Sequence, residues 1–472
     1  MSIRYTLLPR FALPLVLFVF VNTAMAQPES KPSTTVERFD YAERSRPTLE
    51  RYRDKAPSKW RPYLMSVGVP VASPLFANRS AVIEAAGPDQ PQNESSIAIN
   101  PLRPNVLLAS AVDYRNGAWV YISTDAGNSW RNVMLGDVRS GWPSGNDPSV
   151  AFDHLGHGYV MYGAIVRQSP DAWRNGQSGI FISKTTNDGV DWVKHIPVIE
   201  HVDSMTAADP IEDKYYIEID RSDSSAYRGW MYTPWKRVTD ADSATQIMFA
   251  RSTNGGANWS TPIAISVRKP GSSTDTTWGQ SFPISAAGPS GEVYVAWHDG
   301  QVRSIGFARS LDGGATFTAP RLIITGNPTH GSTTRTLGNE TFHVLKGTFR
   351  AQTYPTLAVD NSLSARRGWL YLVWAAGGYP DIYFARSTDQ GQTWSPRKLI
   401  SSDTTNDQFW PWLSVDPLNG DIAVMYSDSR HDPANILIDQ YVAYSSNGGD
   451  TWVDRRATDS RSDYRKNPFQ GI

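Results

Sequence analysis

The chain has 472 residues, 40% of them apolar and 19% charged, with a formal net charge of −1 and no cysteine. That length and apolar content allow a large core, while the near-neutral charge points away from nucleic acid and anionic membranes as partners. The missing cysteines exclude disulfides, thiolate catalysis and cysteine zinc sites.

The first residues read as a secretory leader. Arg4 and Arg10 supply the positive start, Phe11 to Val21 a short apolar run, and Ala24-Met25-Ala26 a small-residue cleavage site. The predicted division is a signal peptide over 1–26, a linker or N-terminal arm over 27–90, and the main domain over 91–472. The expected location is periplasmic or extracellular in a bacterium. The arm is rich in Pro, Ser, Arg and Glu, with a short helix expected around Tyr41 to Arg53.

From residue 91 one pattern recurs. Ser123-Thr124-Asp125-Ala126-Gly127-Asn128-Ser129-Trp130 returns in frame at Thr185 to Trp192, Ser252 to Trp259, Ser310 to Phe317, Ser387 to Trp394 and Ser445 to Trp452. Successive starts differ by 62, 67, 58, 77 and 58 residues. Ser or Thr and Asp or Asn close a tight turn onto backbone amides, Gly accepts a positive φ, and the aromatic anchors the turn. These aspartates are therefore structural. Apolar strands precede each turn, beginning with Ser96 to Asn100 and Val106 to Ala111 in the first repeat. Four strands per repeat, six times, predict an all-β six-bladed β-propeller with four-stranded antiparallel blades; a seventh, irregular blade remains open. Gly326 to Gly347 reads as a long loop. Ser80 to Ala86, or the ending after Asn467, is a candidate closing strand.

The six turns are those called Asp boxes or BNR repeats, and the chain resembles the sialidase-like family of propellers over about residues 90 to 460. The resemblance implies an active site on the face opposite the Asp boxes, where inner strands start and second strands end. It also implies a glycan or polysaccharide as partner, and three arginines, a tyrosine nucleophile and an acidic acid/base in a sialidase proper. The match is uneven: there is no Arg-Ile-Pro motif, three residues separate Arg115 from Trp119, and Trp410 stands where a nucleophilic tyrosine is expected. Asp113-Tyr114-Arg115 is the best local match.

Counting along the strands selects Glu94, Asp113, Arg115, Tyr354 and Asp428 as candidate catalytic residues. Trp235, Arg237, His298, Arg350, Trp410 and Arg430 are candidate sugar-binding residues. Paired carboxylates suit acid–base chemistry, arginine forks suit acidic sugars, and aromatic faces stack on pyranose rings. Asn93, Asp147, Glu212, Asp213, Lys214, Lys236 and Asp299 belong to the same rim. The expected function is a glycoside hydrolase on extracellular glycans, sialidase-like with its substrate open. The alternatives are a non-catalytic glycan- or protein-binding propeller, and a polysaccharide lyase using Tyr354 and His298. No cofactor or metal motif is present, and a monomer is expected.

Overall fold

The computed structural model describes residues 92–113, 117–142, 144–165, 177–202, 210–239, 244–270, 279–326, 333–337, 340–346, 349–350 and 353–464. The predicted leader, arm helix and closing strands lie outside these residues, as does Arg115.

The described strands form six blades. Blade 1 holds β1 (Gln92–Ile99), β2 (Leu107–Asp113), β3 (Trp119–Ser123) and β4 (Arg131–Met134). Blade 2 holds β5 (Ser144–Phe152), β6 (Gly158–Ile165), β7 (Ser178–Thr185) and β8 (Val193–His201). Blade 3 holds β9 (Pro210–Asp213), β10 (Glu218–Ile219), β11 (Met231–Thr239), β12 (Ala244–Ser252) and β13 (Ile263–Ala264). Blade 4 holds β14 (Gln280–Ala287), β15 (Val293–Asp299), β16 (Ser304–Ser310) and β17 (Arg321–Ile324). A small sheet follows: β18 (Thr333–Leu337), β19 (Glu340–Leu345) and β20 (Phe349–Arg350). Blade 5 holds β21 (Thr356–Val359), β22 (Leu370–Ala376), β23 (Asp381–Ser387) and β24 (Lys398–Leu399). Blade 6 holds β25 (Gln408–Val415), β26 (Ile422–Asp428), β27 (Asp439–Ser445) and β28 (Val453–Arg456).

Each blade is an antiparallel meander from the axis outward. In blade 3, β9 and β10 both pair with β11, so they are one inner strand broken at Lys214. The predicted long loop differs from the structure: its residues build the β18–β20 sheet. Periodic alternation had too few partners there to mark strands, since the hairpin is an insertion outside the repeat.

The cores lie between neighbouring blades, because each blade is apolar on both faces. Val120, Phe152 and Val160 share one such cluster, and Leu372, Trp374 and Ala296 another. The Asp boxes clip the lower ends. In the fifth, Ser387 Oγ accepts from Gly391 N at 2.8 Å and donates to Asp389 Oδ1 at 2.7 Å, while Asp389 takes both the amide and the hydroxyl of Thr393. Gly391 has φ 78°, and a Cβ there would meet Phe307 at 2.5 Å, so the turn needs glycine for space as well as conformation. Its anchor Trp394 packs edge-on against Phe307 of blade 4. Arg251, Arg309 and Arg386 extend the pattern. Each sits just before an Asp-box serine and donates to a carbonyl in the next blade's box.

Candidate functional site

The upper ends of the inner strands share a second repeated device. Val150 N donates to Ser96 Oγ, and Ile217 N to Ser149 Oγ, which fixes neighbouring inner strands in one register. Two residues before those positions the chain bulges outward from its ladder in blades 1, 2, 4 and 6. At the bulge stand Glu94, Asp147, Lys214, Phe282 and Trp410, with φ between 43° and 53°. Tyr354 holds the corresponding place in blade 5. Asp147, Phe282, Tyr354 and Trp410 are each followed by proline. Left-handed conformation at a non-glycine residue is strained, and its recurrence at equivalent positions singles out this end as the candidate site.

The ring divides in two. Blades 1 to 3 contribute Glu94, Asp147 and Lys214; blades 4 to 6 contribute Phe282, Tyr354 and Trp410. In the charged arc, Lys214 Nζ donates to Glu94 Oε1 at 2.8 Å and to Asp147 Oδ1 at 2.6 Å. Asp213 lies beside Asp147, and its own partner Lys236 is 3.9 Å away. Tyr215 Oη closes the arc from behind by donating to the carbonyl of Asn146. In the aromatic arc, Phe282 and Tyr354 meet edge-to-face with centroids 4.2 Å apart, and Trp410 stacks on Tyr464 at 5.8 Å. Below them Tyr216 and Trp412, from opposite blades, meet across the axis at 5.5 Å and form a floor. Glu218 lies one step deeper on the same strand as Tyr216, and burial pushes its carboxyl up to about 7.

The charged arc separates two carboxyl groups electrostatically. Burial, then the neighbouring Asp147 carboxylate, push Glu94 up to about 8. Its side chain keeps 37% of its surface open, so solvent screens part of the burial effect; contact with a like charge acts upward regardless. At Asp147, burial acts upward but is outweighed by Lys214 and by hydrogen bonds from Glu94, Lys214 and Asp213, so its carboxyl is held below the ordinary range. Burial and Asp147 raise Asp213. The arc therefore sets a carboxyl shifted upward, Glu94, beside one held low, Asp147. Two adjacent carboxyls with opposed shifts are the arrangement that makes an acid available near pH 7.

The structure brings Glu94, Tyr354 and Trp410 to this mouth and places the other sequence candidates differently. Trp235 is fully buried in the blade core, where its indole N–H donates to Glu212. Arg237 forks onto the same buried Glu212, with Nε to Oε1 at 2.9 Å, and His201 bonds it too. Arg430 is locked between Asp428 (2.8 Å), Asp454 (2.7 Å) and Ser402, with its guanidinium 3.9 Å over the Tyr441 ring. Asp428 is thus an internal ion-pair partner with no exposed surface. Asp113 is buried and accepts from Tyr121 Oη at 2.7 Å. His298 is fully buried. Asp299 bonds Lys269, away from Asp147 and Asp213. Arg350 ends β20, and Arg115 lies outside the described residues.

Asp147, Lys214 and Phe282 are the residues that strand counting left out of the catalytic and sugar-binding selection. A signal was present: Asp147-Pro148, Phe282-Pro283, Tyr354-Pro355 and Trp410-Pro411 fall at one position relative to their strands.

A family model described as BNR/Asp-box repeat matches residues 385–396, the fifth of the six turns. No curated protein matches by sequence. Among solved structures the chain is similar to a Hadza microbial sialidase, at 14% identity and TM-score 0.45, over 72% of this chain and 63% of that one. It is also similar to a leech intramolecular trans-sialidase, at 10% identity and TM-score 0.48, over 77% and 68%. A third is a Penicillium chrysogenum alpha-L-arabinanase, at 11% identity and TM-score 0.46, over 71% and 88%. The chain spans under two thirds of the first of these. The Asp-box propeller expected from the six turns is the fold observed.

Proposed function

We propose that the mouth binds a glycan and cleaves it, with Glu94 as proton donor to the leaving oxygen. The observation that carries this reading is the division of one structurally equivalent ring into a carboxyl-bearing arc and an aromatic arc. A sugar presents both complements: hydroxyls at its edge and an apolar C–H face. Phe282, Tyr354 and Trp410 are the stacking surfaces. Asp147 is the anionic neighbour that keeps Glu94 protonated. The two carboxyls share the Lys214 ammonium at 2.8 and 2.6 Å, so Asp147 is already committed to an ion pair. Asp147 is therefore assigned the electrostatic role and not that of nucleophile.

The arginines bear on the substrate. Arg237 and Arg430 are already forked to carboxylates, and an acidic sugar gains nothing from a neutralised guanidinium. Among the described side chains this favours a neutral glycan over a sialoside. Export through the 1–26 leader belongs to the same reading, and a mature chain beginning at Gln27 is its check.

The test is turnover of neutral polysaccharides, sialosides and uronic-acid polymers by the purified chain and by Glu94→Gln. Cleavage of a neutral glycan that is lost in Glu94→Gln, with glycan binding retained, supports the assignment. Equal turnover by the variant overturns it. Unsaturated product would replace hydrolysis with elimination, and binding without turnover would make the propeller a recognition module.

A further inference from the structure

One described segment forms a sheet of its own outside the six blades, β18–β20 between blades 4 and 5. Its end does not stay at that boundary. Leu345 is buried against Phe409 and Ile438 of blade 6, and Trp410 and Tyr464 pack on the same cluster. Lys346, in left-handed conformation at φ 52°, follows it into blade 6. Its ammonium donates to Asp407 Oδ2 at 2.9 Å, to Asn435 Oδ1 at 2.8 Å and to the Asn435 carbonyl, and lies 5.8 Å over the Phe409 ring. The side chains of this ion pair are only 2% and 4% exposed. Asn435 also accepts from Asp407 N, so the pair and the amide form one knot.

The knot has a particular address. Asp407 immediately precedes β25, and three residues later the same strand delivers Trp410 to the mouth. A buried lysine is expensive to desolvate, and apolar packing by Leu345 alone would hold the segment to blade 6. What the charge adds is direction: one hydrogen bond reaches Asp407 at the start of β25, and the other two hold Asn435, whose Oδ1 in turn accepts from Asp407 N. From this geometry we infer that Lys346 is a positioning residue that sets the Trp410 ring in the mouth, making the β18–β20 insertion the element that determines which sugar stacks there. The inference rests on the reading of the mouth as a glycan site, and concerns the aromatic arc, where the proton donor does not lie.

Two variants separate positioning from simple stability. Lys346→Met combined with Asp407→Leu removes both buried charges, so no unpaired ion is left in the core. Asn435→Gly is milder: it keeps the left-handed backbone and deletes the side-chain amide. The environment of Trp410 is read as the fluorescence difference between each protein and its Trp410→Phe counterpart. The expected result is a red-shifted Trp410 contribution in both variants. KM for the glycan cleaved by the wild type should rise about tenfold in the double variant, with kcat within about twofold. Trp410 emission and KM unchanged in either folded variant, whatever the melting temperature, overturn the inference and leave Lys346 a structural residue. Should the wild type cleave no glycan, the glycan reading falls by itself, and the emission measurement still decides whether Lys346 places Trp410.

Discussion

The two ends of each blade repeat with equal regularity but follow opposite rules. At the lower end, six turns solve the same local problem in the same way. Ser or Thr oxygen receives the glycine amide in every copy, from Gly127 N to Ser123 through to Gly449 N to Ser445, at 2.8 to 3.0 Å. At the upper end five of the six inner strands carry a non-glycine residue at positive φ, where glycine would relieve the strain. Side-chain identity there changes from blade to blade: Glu94, Asp147, Lys214, Phe282, Tyr354, Trp410. Uniform chemistry with satisfied geometry marks the structural end. Uniform geometry with divergent chemistry is the pattern on which the proposed glycan site rests.

The sharpest way to break this contrast is to alter the two ends separately and ask which property responds. Glu94→Gln keeps size and polarity but removes the proton. It should lower turnover of the cleaved glycan by roughly 10²- to 10⁴-fold, the usual contribution of a general acid, with melting temperature nearly unchanged. The pH profile carries the same assignment. Because the folded-state pKa of Glu94 is raised to about 8, activity of the wild type should fall on the alkaline side with a midpoint near that value. The linkage has a definite sign. A carboxyl raised above its unfolded value of 4.5 contributes stability at low pH that is lost as pH climbs from there through about 8. Thermal melts of the wild type should therefore decline over that window relative to Glu94→Gln, and parallel curves would remove the basis for a protonated Glu94.

At the lower end the response should be in stability. Gly391→Ala places a Cβ 2.5 Å from the Phe307 ring at φ 78° and should cost on the order of 1–3 kcal/mol by strain alone. Ser387→Ala removes the hydroxyl that binds Gly391 N and Asp389, in a buried position, and should cost about 1 kcal/mol. Denaturant unfolding measures both, and kcat of each folded variant should match the wild type. A large loss of kcat without loss of stability in either would mean that the Asp-box face takes part in the chemistry.

The same contrast explains what could be read from the amino-acid sequence. The hydrogen bonds that close each Asp box are local, falling inside the eight-residue motif, so six copies announced both the turns and the propeller. The mouth is not local. Lys214 reaches Glu94 across 120 residues, and no spacing rule announces that pairing. Counting residues to strand ends reached Glu94, Tyr354 and Trp410 at the inner-strand starts but ignored which side of each strand its residues face. Alternate residues point to opposite faces, so Trp235, at a strand position facing the blade core, entered the selection alongside Glu94. Arg237 looks free in sequence, since the carboxylate that neutralises it, Glu212, comes from a separate strand, whereas Arg430 has one partner, Asp428, two residues away and another, Asp454, on a separate strand. The repeated residue–proline pairs at inner-strand starts were the legible signal for the ring.

The smallest expected effect is the most discriminating for the lower end, because the chain contains its own control. Three Asp boxes use asparagine in place of aspartate: Asn187, Asn254 and Asn447. Asn447 Oδ1 accepts from Thr451 N at 3.0 Å, as Asp389 Oδ1 accepts from Thr393 N at 2.9 Å, and its amide then donates to the threonine hydroxyl that Asp389 would accept from. The hydroxyl can rotate to serve either partner. Asp389→Asn should therefore change stability at neutral pH by less than about 0.5 kcal/mol, as for a surface substitution that keeps its hydrogen bonds. The charge should show itself only in acid. Burial is the largest single influence on Asp389 and acts upward, but the Thr393, Ser387 and Gln392 hydrogen bonds together outweigh it and hold its pKa at about 2, below the unfolded 3.8. Its contribution is present above that unfolded value and is lost as pH falls through about 2. Melting curves of wild type and Asp389→Asn should superpose near neutrality and converge on different acid limbs, the wild type losing more between those two values. A neutral-pH loss as large as that of Ser387→Ala would show that the carboxylate, and not the turn geometry it shares with asparagine, holds the box together.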